Sequence, residues 1–137
     1  MNRVQTEDFD INAEIAALTK GRSDIGAVVT FSGLVRDVTL TLEHYAGMTE
    51  RELDKLEADA NARWQLQGVT IIHRIGTLHP ADNIVLVVTA SKHRKDAFEA
   101  AEFLMDYLKT RAPFWKREGE TWVEAKDSDD QAAERWK

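Results

Sequence analysis

Two lysines on either side of a proline are the residues of this chain best placed to do chemistry. In the stretch Met105-Asp-Tyr-Leu-Lys-Thr-Arg-Ala-Pro-Phe-Trp-Lys-Arg-Glu118, four cations (Lys109, Arg111, Lys116 and Arg117) surround an aromatic pair, Phe114 and Trp115. Pro113 supplies no N–H and disfavours helical geometry in the residue before it, so a helix must stop there. Beyond it an extended chain points Phe114 and Lys116 to one side and Trp115 and Arg117 to the other. The corner can hold two amines near one point between aromatic walls. Lysine serves as acid or base once burial or a neighbouring cation lowers its pKa. Lys109 and Lys116 could lower one another, with Arg111 and Arg117 near; Glu118 opposes that shift if it pairs with either. The plainer alternative is a helix–strand junction with solvated lysines.

Two further cationic groups accompany this one. Ser91-Lys-His-Arg-Lys95 lies between a strand and a helix start, where free N–H groups attract anions and Arg94 adds a planar fork suited to phosphate. A polar cap with solvated charges accounts for it equally well. Arg36 closes the apolar run Val28 to Val35, within which Phe31 reads as core. His44, His73, His79 and His93 show no metal-ligand spacing, and the chain has neither a Gly-rich nucleotide loop nor a nucleophile elbow. The expected site is therefore free of metal and cofactor, built from lysines, arginines and His93.

The elements that must position these residues are legible as patterns. Arg3 to Thr6 reads as a short strand. Asp10 can cap a helix carrying Ile11, Ile15 and Leu18, ended by Gly21. Ile25 to Val35 is β-branched and apolar, a buried strand, and Thr39 to Tyr45 reads as its partner. Thr49-Glu-Arg-Glu52 has the form of a capping box opening a long helix that ends near Gly68. Val69 to Ile75 and Ile84 to Ala90 are strands joined by a turn at His79 to Asn83. A third helix follows, with Phe98, Ala101, Met105 and Leu108 toward the core. Trp115 to Glu118 and Thr121 to Ala125 form a hairpin about Gly119, and the tail 126–137 reads as a loose helix or a flexible segment. Strands and helices mingle through short connections, which predicts one α+β domain over residues 1–137 with a mostly antiparallel sheet.

Composition narrows the partners. Apolar residues make up 43% of 137, enough for one core. The formal net charge of −6 argues against a general nucleic-acid binder, while local cationic clusters suit a small anion or an acidic chain end. The absence of cysteine excludes disulfides, thiolate zinc and a cysteine nucleophile, and fits a reducing cytoplasm. The first residues lack a signal-peptide core, and no apolar run approaches a membrane span.

Five blocks occur in order: Phe31-Ser-Gly-Leu-Val-Arg36; Leu42-Glu-His-Tyr45 with Met48-Thr-Glu50; Ile72-His-Arg-Ile-Gly76; Ser91-Lys-His-Arg94 with Ala97-Phe98; and Asp106 to Glu118. Together they resemble the large, catalytic subunit of molybdopterin synthase, the MoaE family, from about Gly26 to the tail. The resemblance implies an α/β hammerhead with an added small β subdomain and a homodimer core. It implies a partner, a small β-grasp sulfur-carrier subunit, in a heterotetramer. The partner's C-terminal Gly-Gly thiocarboxylate would donate sulfur to cyclic pyranopterin monophosphate, forming the dithiolene of molybdopterin. Position by position, Lys109 and Lys116 match the catalytic lysines. Arg36, His93 and Arg94 match residues for the pterin phosphate, in a site shared across the dimer. Phe31, Met105 and Glu118 match residues lining or supporting the pocket. Two departures stand out: Val38-Thr39 follows Asp37 where the family carries a longer polar loop, and the hairpin at Gly119 is short, with Thr121 where a basic residue is expected.

Two other classes fit parts of the pattern. A non-catalytic module for a ubiquitin-like tail would bind its partner without turnover. A single-strand nucleic-acid binder would stack bases on Phe114 and Trp115, which the net charge opposes.

Overall fold

The computed structural model describes residues 1–119, 121–123 and 127–137, with backbone alone at 123 and 127–129. Its elements run β1 (Asn2–Gln5), α1 (Ile11–Thr19), β2 (Ala27–Leu34), β3 (Leu40–His44), α2 (Met48–Arg63), β4 (Leu66–Arg74), β5 (Gly76–Leu78), β6 (Asn83–Ser91), α3 (Arg94–Leu108), β7 (Phe114–Glu118), β8 (Thr121–Val123) and α4 (Asp127–Glu134). They form two four-stranded sheets, ordered β1-β4-β6-β2 and β5-β3-β7-β8. Only the β1–β4 pair is parallel among the described strands; the others are antiparallel, as the mingled pattern predicts. The fold is the α/β hammerhead with an added small sheet.

The large sheet is apolar on both faces. Val69, Ile71, Val85 and Val87 pack against Leu53 and Leu56 of α2 and Phe103 and Leu104 of α3. Ile72, Leu86 and Val88 face α1 through Ile11, Ile15 and Leu18. Each of those runs alternates with period two, so one strand feeds both layers. In the small sheet Leu42 and Leu78 join Val35 in a separate buried cluster.

Several expectations are corrected. Thr39–Tyr45 does not partner the preceding strand: β3 pairs with β5 and β7 in the other sheet. Helix α2 starts earlier, after Gly47 (φ 86°), and Glu50, not Glu52, reaches back to the Gly47 N–H at 2.5 Å. It ends at Arg63 because β4 already begins at Leu66. Gly76–Leu78, short and lacking alternation, forms the unforeseen β5. Phe31 is not core but 41% exposed, because β2 is the edge of its sheet. Phe98 is 58% exposed beside it; the buried stripe of α3 is Ala97, Ala100, Ala101, Phe103, Leu104, Tyr107 and Leu108. Residues 124 and 125, expected to extend the last strand, and 126 of the tail lie outside the described residues; α4 follows, with Ala133 buried.

The topology has a polarity that matters below. Strands β2 and β4 run the same way, both antiparallel to β6, so Leu34 and Arg74 lie at one pole of the large sheet. Helix α3 starts at the other pole, after Ser91, and returns. At that far pole Gly26 approaches so closely that a Cβ there would lie 2.3 Å from the Lys92 carbonyl oxygen. Gly26→Ala should therefore force β2 and the Lys92–His93 turn apart and lower stability by about 1–3 kcal/mol, measured by urea unfolding; an unchanged midpoint would refute that packing.

Candidate active site

The proline corner forms as a compact device. Helix α3 ends at Leu108, and Arg111 N–H closes its last turn on the Tyr107 carbonyl at 2.7 Å. Phe114 N–H bonds the Ala112 carbonyl across Pro113 at 2.9 Å, a tight three-residue bend. Strand β7 then pairs along β3, with Phe114 opposite His44, Lys116 opposite Leu42 and Glu118 opposite Leu40. Opposed residues share a face, so Phe114, Lys116 and Glu118 lie on the side of buried Leu42. Trp115 and Arg117 take the outer side, where Arg117 lies over the Trp122 ring at 5.7 Å and Trp115 meets Tyr45 at 5.7 Å.

The structure therefore brings Lys109 and Lys116 to the same pole, one at the end of α3 and one in β7. Both are exposed in the single chain, so the enclosed hollow expected from the sequence is not closed by one protomer. Both engage neighbouring groups. Arg111 does not join them. It turns to α2, 3.1 Å from Asp59 and 3.6 Å from Glu52, because those carboxylates lie across from the end of α3. Arg117 is also removed, by strand alternation.

Arg36 stands at this pole as well, just beyond β2. Its connection to β3 is a minimal turn: Asp37 has φ 70° and Val38 N–H bonds the Arg36 carbonyl at 2.8 Å. The Arg36 side chain is 82% exposed, 3.7 Å from Asp37. Met105, one helical turn before Lys109, and Phe31 line a groove of about 310 Å³ between α3 and β2.

His93 and Arg94 are elsewhere. His93 is the N-cap residue of α3, its backbone N–H bonded to Ser91 Oγ at 3.1 Å. Both side chains are exposed, as an anion-binding helix start requires. From there to Lys109 the 15-residue helix spans about 22 Å. Strand β2, 8 residues long, separates them from Arg36 by about 26 Å. Within one protomer these residues do not meet the lysines.

One residue that braces this corner escaped the sequence reading. His73 stacks flat on Phe114, with ring centroids 3.7 Å apart at 16°. It is 9% exposed. Its Nδ1 lies 2.8 Å from the Arg74 carbonyl, which can only accept, so Nδ1 carries the proton. Burial, reinforced by the charges of Lys116 and His44, pushes its pKa down to about 4, against the pull of that hydrogen bond. A neutral ring thus braces the strand that carries Lys116. Period two would have revealed it, since Val69, Ile71 and His73 share one face.

This two-sheet fold is shared with solved proteins of the molybdopterin-synthase class. The chain belongs to the MoaE protein family, whose model matches residues 4–111. It is 61% identical over 146 residues, 98% of this chain and 92% of the relative, to the molybdopterin synthase catalytic subunit of Mesorhizobium japonicum. The aligned span exceeds the 137 residues of this chain, so that relative carries internal residues this one lacks. Molybdopterin cofactor biosynthesis protein E from Burkholderia multivorans superposes with TM-score 0.90 at 54% identity, covering 99% of this chain and 95% of that one. The fold alone recurs at 22% identity, with TM-score 0.76 and coverage of 92% and 90%. That match is a protein–protein complex of subunits 1 and 2 of molybdopterin-converting factor from Helicobacter pylori.

The sign of the His73 shift gives a test. Folded His73 resists protonation down to about 4, whereas the unfolded chain takes that proton near 6.5. Stability from this site is full above pH 6.5 and is lost as pH falls toward 4, by about 3 kcal/mol. His73→Phe should flatten the fall in urea-unfolding free energy across that window; an equally steep fall would clear His73 of the effect.

Proposed function

We propose that this chain is the catalytic subunit that moves sulfur from the thiocarboxylated C-terminus of a small β-grasp carrier to cyclic pyranopterin monophosphate. The product is the dithiolene of molybdopterin. The observation that carries this reading is the pair of lysines set by the proline corner at one pole, in a chain of the MoaE family.

In each transfer the carrier's sulfur replaces an oxygen substituent on a side-chain carbon of the pterin: the C–S bond forms as the C–O bond breaks, the oxygen leaves as water or stays on the opened phosphate, and a thioester joins carrier and substrate. Water then cleaves the acyl–sulfur bond, so the sulfur stays on the pterin and the carrier leaves as a carboxylate. Lys109 and Lys116 deliver and remove protons and stabilise the oxyanion that forms at the acyl carbon. Arg36, His93 and Arg94 hold the substrate phosphate. Phe31 and Met105 line the approach, and Glu118, on the face of Lys116, supports that lysine. The absence of cysteine suits the cytoplasm, where we place the reaction.

The two poles require a second copy. Strand β2 is a free edge of the large sheet and presents Val28, Phe31 and Leu34 at 38%, 41% and 56% exposure, with Phe98 beside them. Isologous antiparallel pairing of β2 with its symmetry mate covers these side chains. It also lays the Arg36 end of one strand against the Ala27 end of the other. Ala27 pairs with Ser91, so the mate's His93 and Arg94 arrive beside Arg36 and near the lysines. The reading is a homodimer with two composite sites, each serving one carrier, in a heterotetramer.

With thiocarboxylated carrier and the cyclic pterin, Lys109→Ala should cut turnover by about 10²–10⁴-fold while carrier binding persists. Full activity of that variant would remove the mechanism. Inactive Lys109→Ala and Arg94→Ala chains, unfolded together and refolded as mixed dimers, should regain about a quarter of wild-type activity, because half the dimers hold one intact site. No recovery would place all these residues in one protomer.

A further inference from the structure

Arg36 rides on one of two turns that face each other, 36–39 before β3 and 79–82 before β6. Each turn holds a non-glycine residue with positive φ, Asp37 at 70° and Ala81 at 78°, the only two among the described residues. A residue with a side chain keeps that conformation only where its surroundings impose it. For Ala81 the hold is plain. Its N–H bonds the Val35 carbonyl at 2.8 Å, the Asp82 N–H closes the turn on the His79 carbonyl at 2.9 Å, and the His79 N–H bonds Asp82 Oδ2 at 2.8 Å. In the turn 36–39, Val38 N–H bonds the Arg36 carbonyl at 2.8 Å, a bend that does not reach Thr39.

Thr39 is held by a side chain. Leu40 pairs with Leu78, so the next opposed pair beyond the ladder is Thr39 with His79. Opposed residues share a face, and Thr39 Oγ1 lies 3.2 Å from His79 Nδ1. Two positions along, on the same face, Thr41 Oγ1 and Thr77 Oγ1 are 3.0 Å apart. A row of side-chain hydrogen bonds thus runs off the start of β3 into the turn and ends on His79. The imidazole stands on a rigid turn with Nδ1 engaged by Thr39.

We propose that His79 is a positioning residue: its Nδ1 latches Thr39 and so holds the turn 36–39 in the conformation that aims Arg36 at the substrate phosphate. Val35 fixes the turn where it begins and His79 where it ends, with Arg36 between them. His79 itself touches no substrate. The inference rests on the phosphate-binding role proposed for Arg36, so the test carries an arm for each.

The measurement is equilibrium binding of cyclic pyranopterin monophosphate to the complex with the carrier in its carboxylate form, which has no sulfur to give. It is read beside kcat and KM with thiocarboxylated carrier. His79→Ala and Thr39→Val should each raise Kd and KM about fivefold, the scale of one net hydrogen bond, and leave kcat within about twofold. Both lose the same bond, so the double variant should also stay near fivefold. A loss of about twenty-five-fold, the product for independent sites, overturns the latch. His79→Asn places an amide at the Nδ1 position and should restore Kd to within about twofold, whereas His79→Gln, which reaches the Nε2 position, should not. Rescue by Gln and not by Asn makes His79 a direct contact to the anion and overturns the proposal. Arg36→Ala should weaken binding at least about tenfold, as loss of a charge-assisted hydrogen bond does. If it does so while His79→Ala leaves Kd unchanged, the latch alone is refuted. If Arg36→Ala leaves Kd unchanged, the phosphate role of Arg36 fails and the latch fails with it.

Discussion

The hydroxyl of Thr49 is the point on which the lysine corner turns. It is fully buried, accepts the Tyr45 N–H at 3.0 Å and donates to the Pro113 carbonyl at 3.1 Å. Three segments meet on one oxygen: the end of β3, the first turn of α2, and, 64 residues further on, the bend that delivers β7. Proline has no N–H, so its carbonyl is the one backbone group of Pro113 that can make a hydrogen bond. Phe114 is then pressed on His73, and the ladder with β3 fixes which residues of β7 face inward. These constraints set the face of β7 on which Lys116 lies. A buried hydroxyl with both bonds made is also costly to disturb, since either partner left unpaired loses about 1–3 kcal/mol.

A second constraint is the polarity of α3. A straight helix cannot bring its first residue to its last, and this one carries a cationic N-terminus at one pole and Lys109 at the other. The phosphate and the acyl group of the proposed reaction therefore need cations that one chain keeps apart. The open edge of β2 offers the resolution, because antiparallel self-pairing exchanges poles. In the proposed dimer the same edge would cover Phe31, Leu34 and Phe98, which a single copy leaves exposed. Quaternary structure and site composition become one problem on this reading.

Sequence patterns revealed what depends on local order. The strands of the large sheet, the Asp10 cap and the stop at Pro113 follow from periodicity and from the chemistry of single residues. So did the opposite facing of Lys116 and Arg117. Long-range choices were not legible. Nothing in Thr39 to Tyr45 says which sheet it joins, and a β-branched run does not reveal whether its strand is central or an edge, so Phe31 was taken for core. The four-cation cluster dissolved for a related reason: Arg111 lies near the lysines in sequence but is captured by Glu52 and Asp59 of another helix. The relation to the MoaE family was carried by the blocks around these lysines and supplies what periodicity cannot, the nature of the reaction.

The short turn after Asp37 has a mechanical consequence for that reaction. A long polar loop beside Arg36 could close over a bound substrate, at an ordering cost of about 1–2 kcal/mol for each residue fixed. Here Val35 is anchored to the 79–82 turn by two hydrogen bonds, its N–H to the Asp82 carbonyl at 2.9 Å and its carbonyl to the Ala81 N–H at 2.8 Å. The next residue is Arg36, and the chain has entered β3 four residues later. Arg36 is thus carried on a fixed base with only its own side chain free to move. The entropy of closing a lid is avoided, and so is the lid. On the proposed mechanism, water would be displaced from the acyl carbon by the incoming carrier and by the second copy. Exclusion of solvent becomes a property of the assembled synthase, and the exposure of both lysines in the lone chain is what such a division of labour requires.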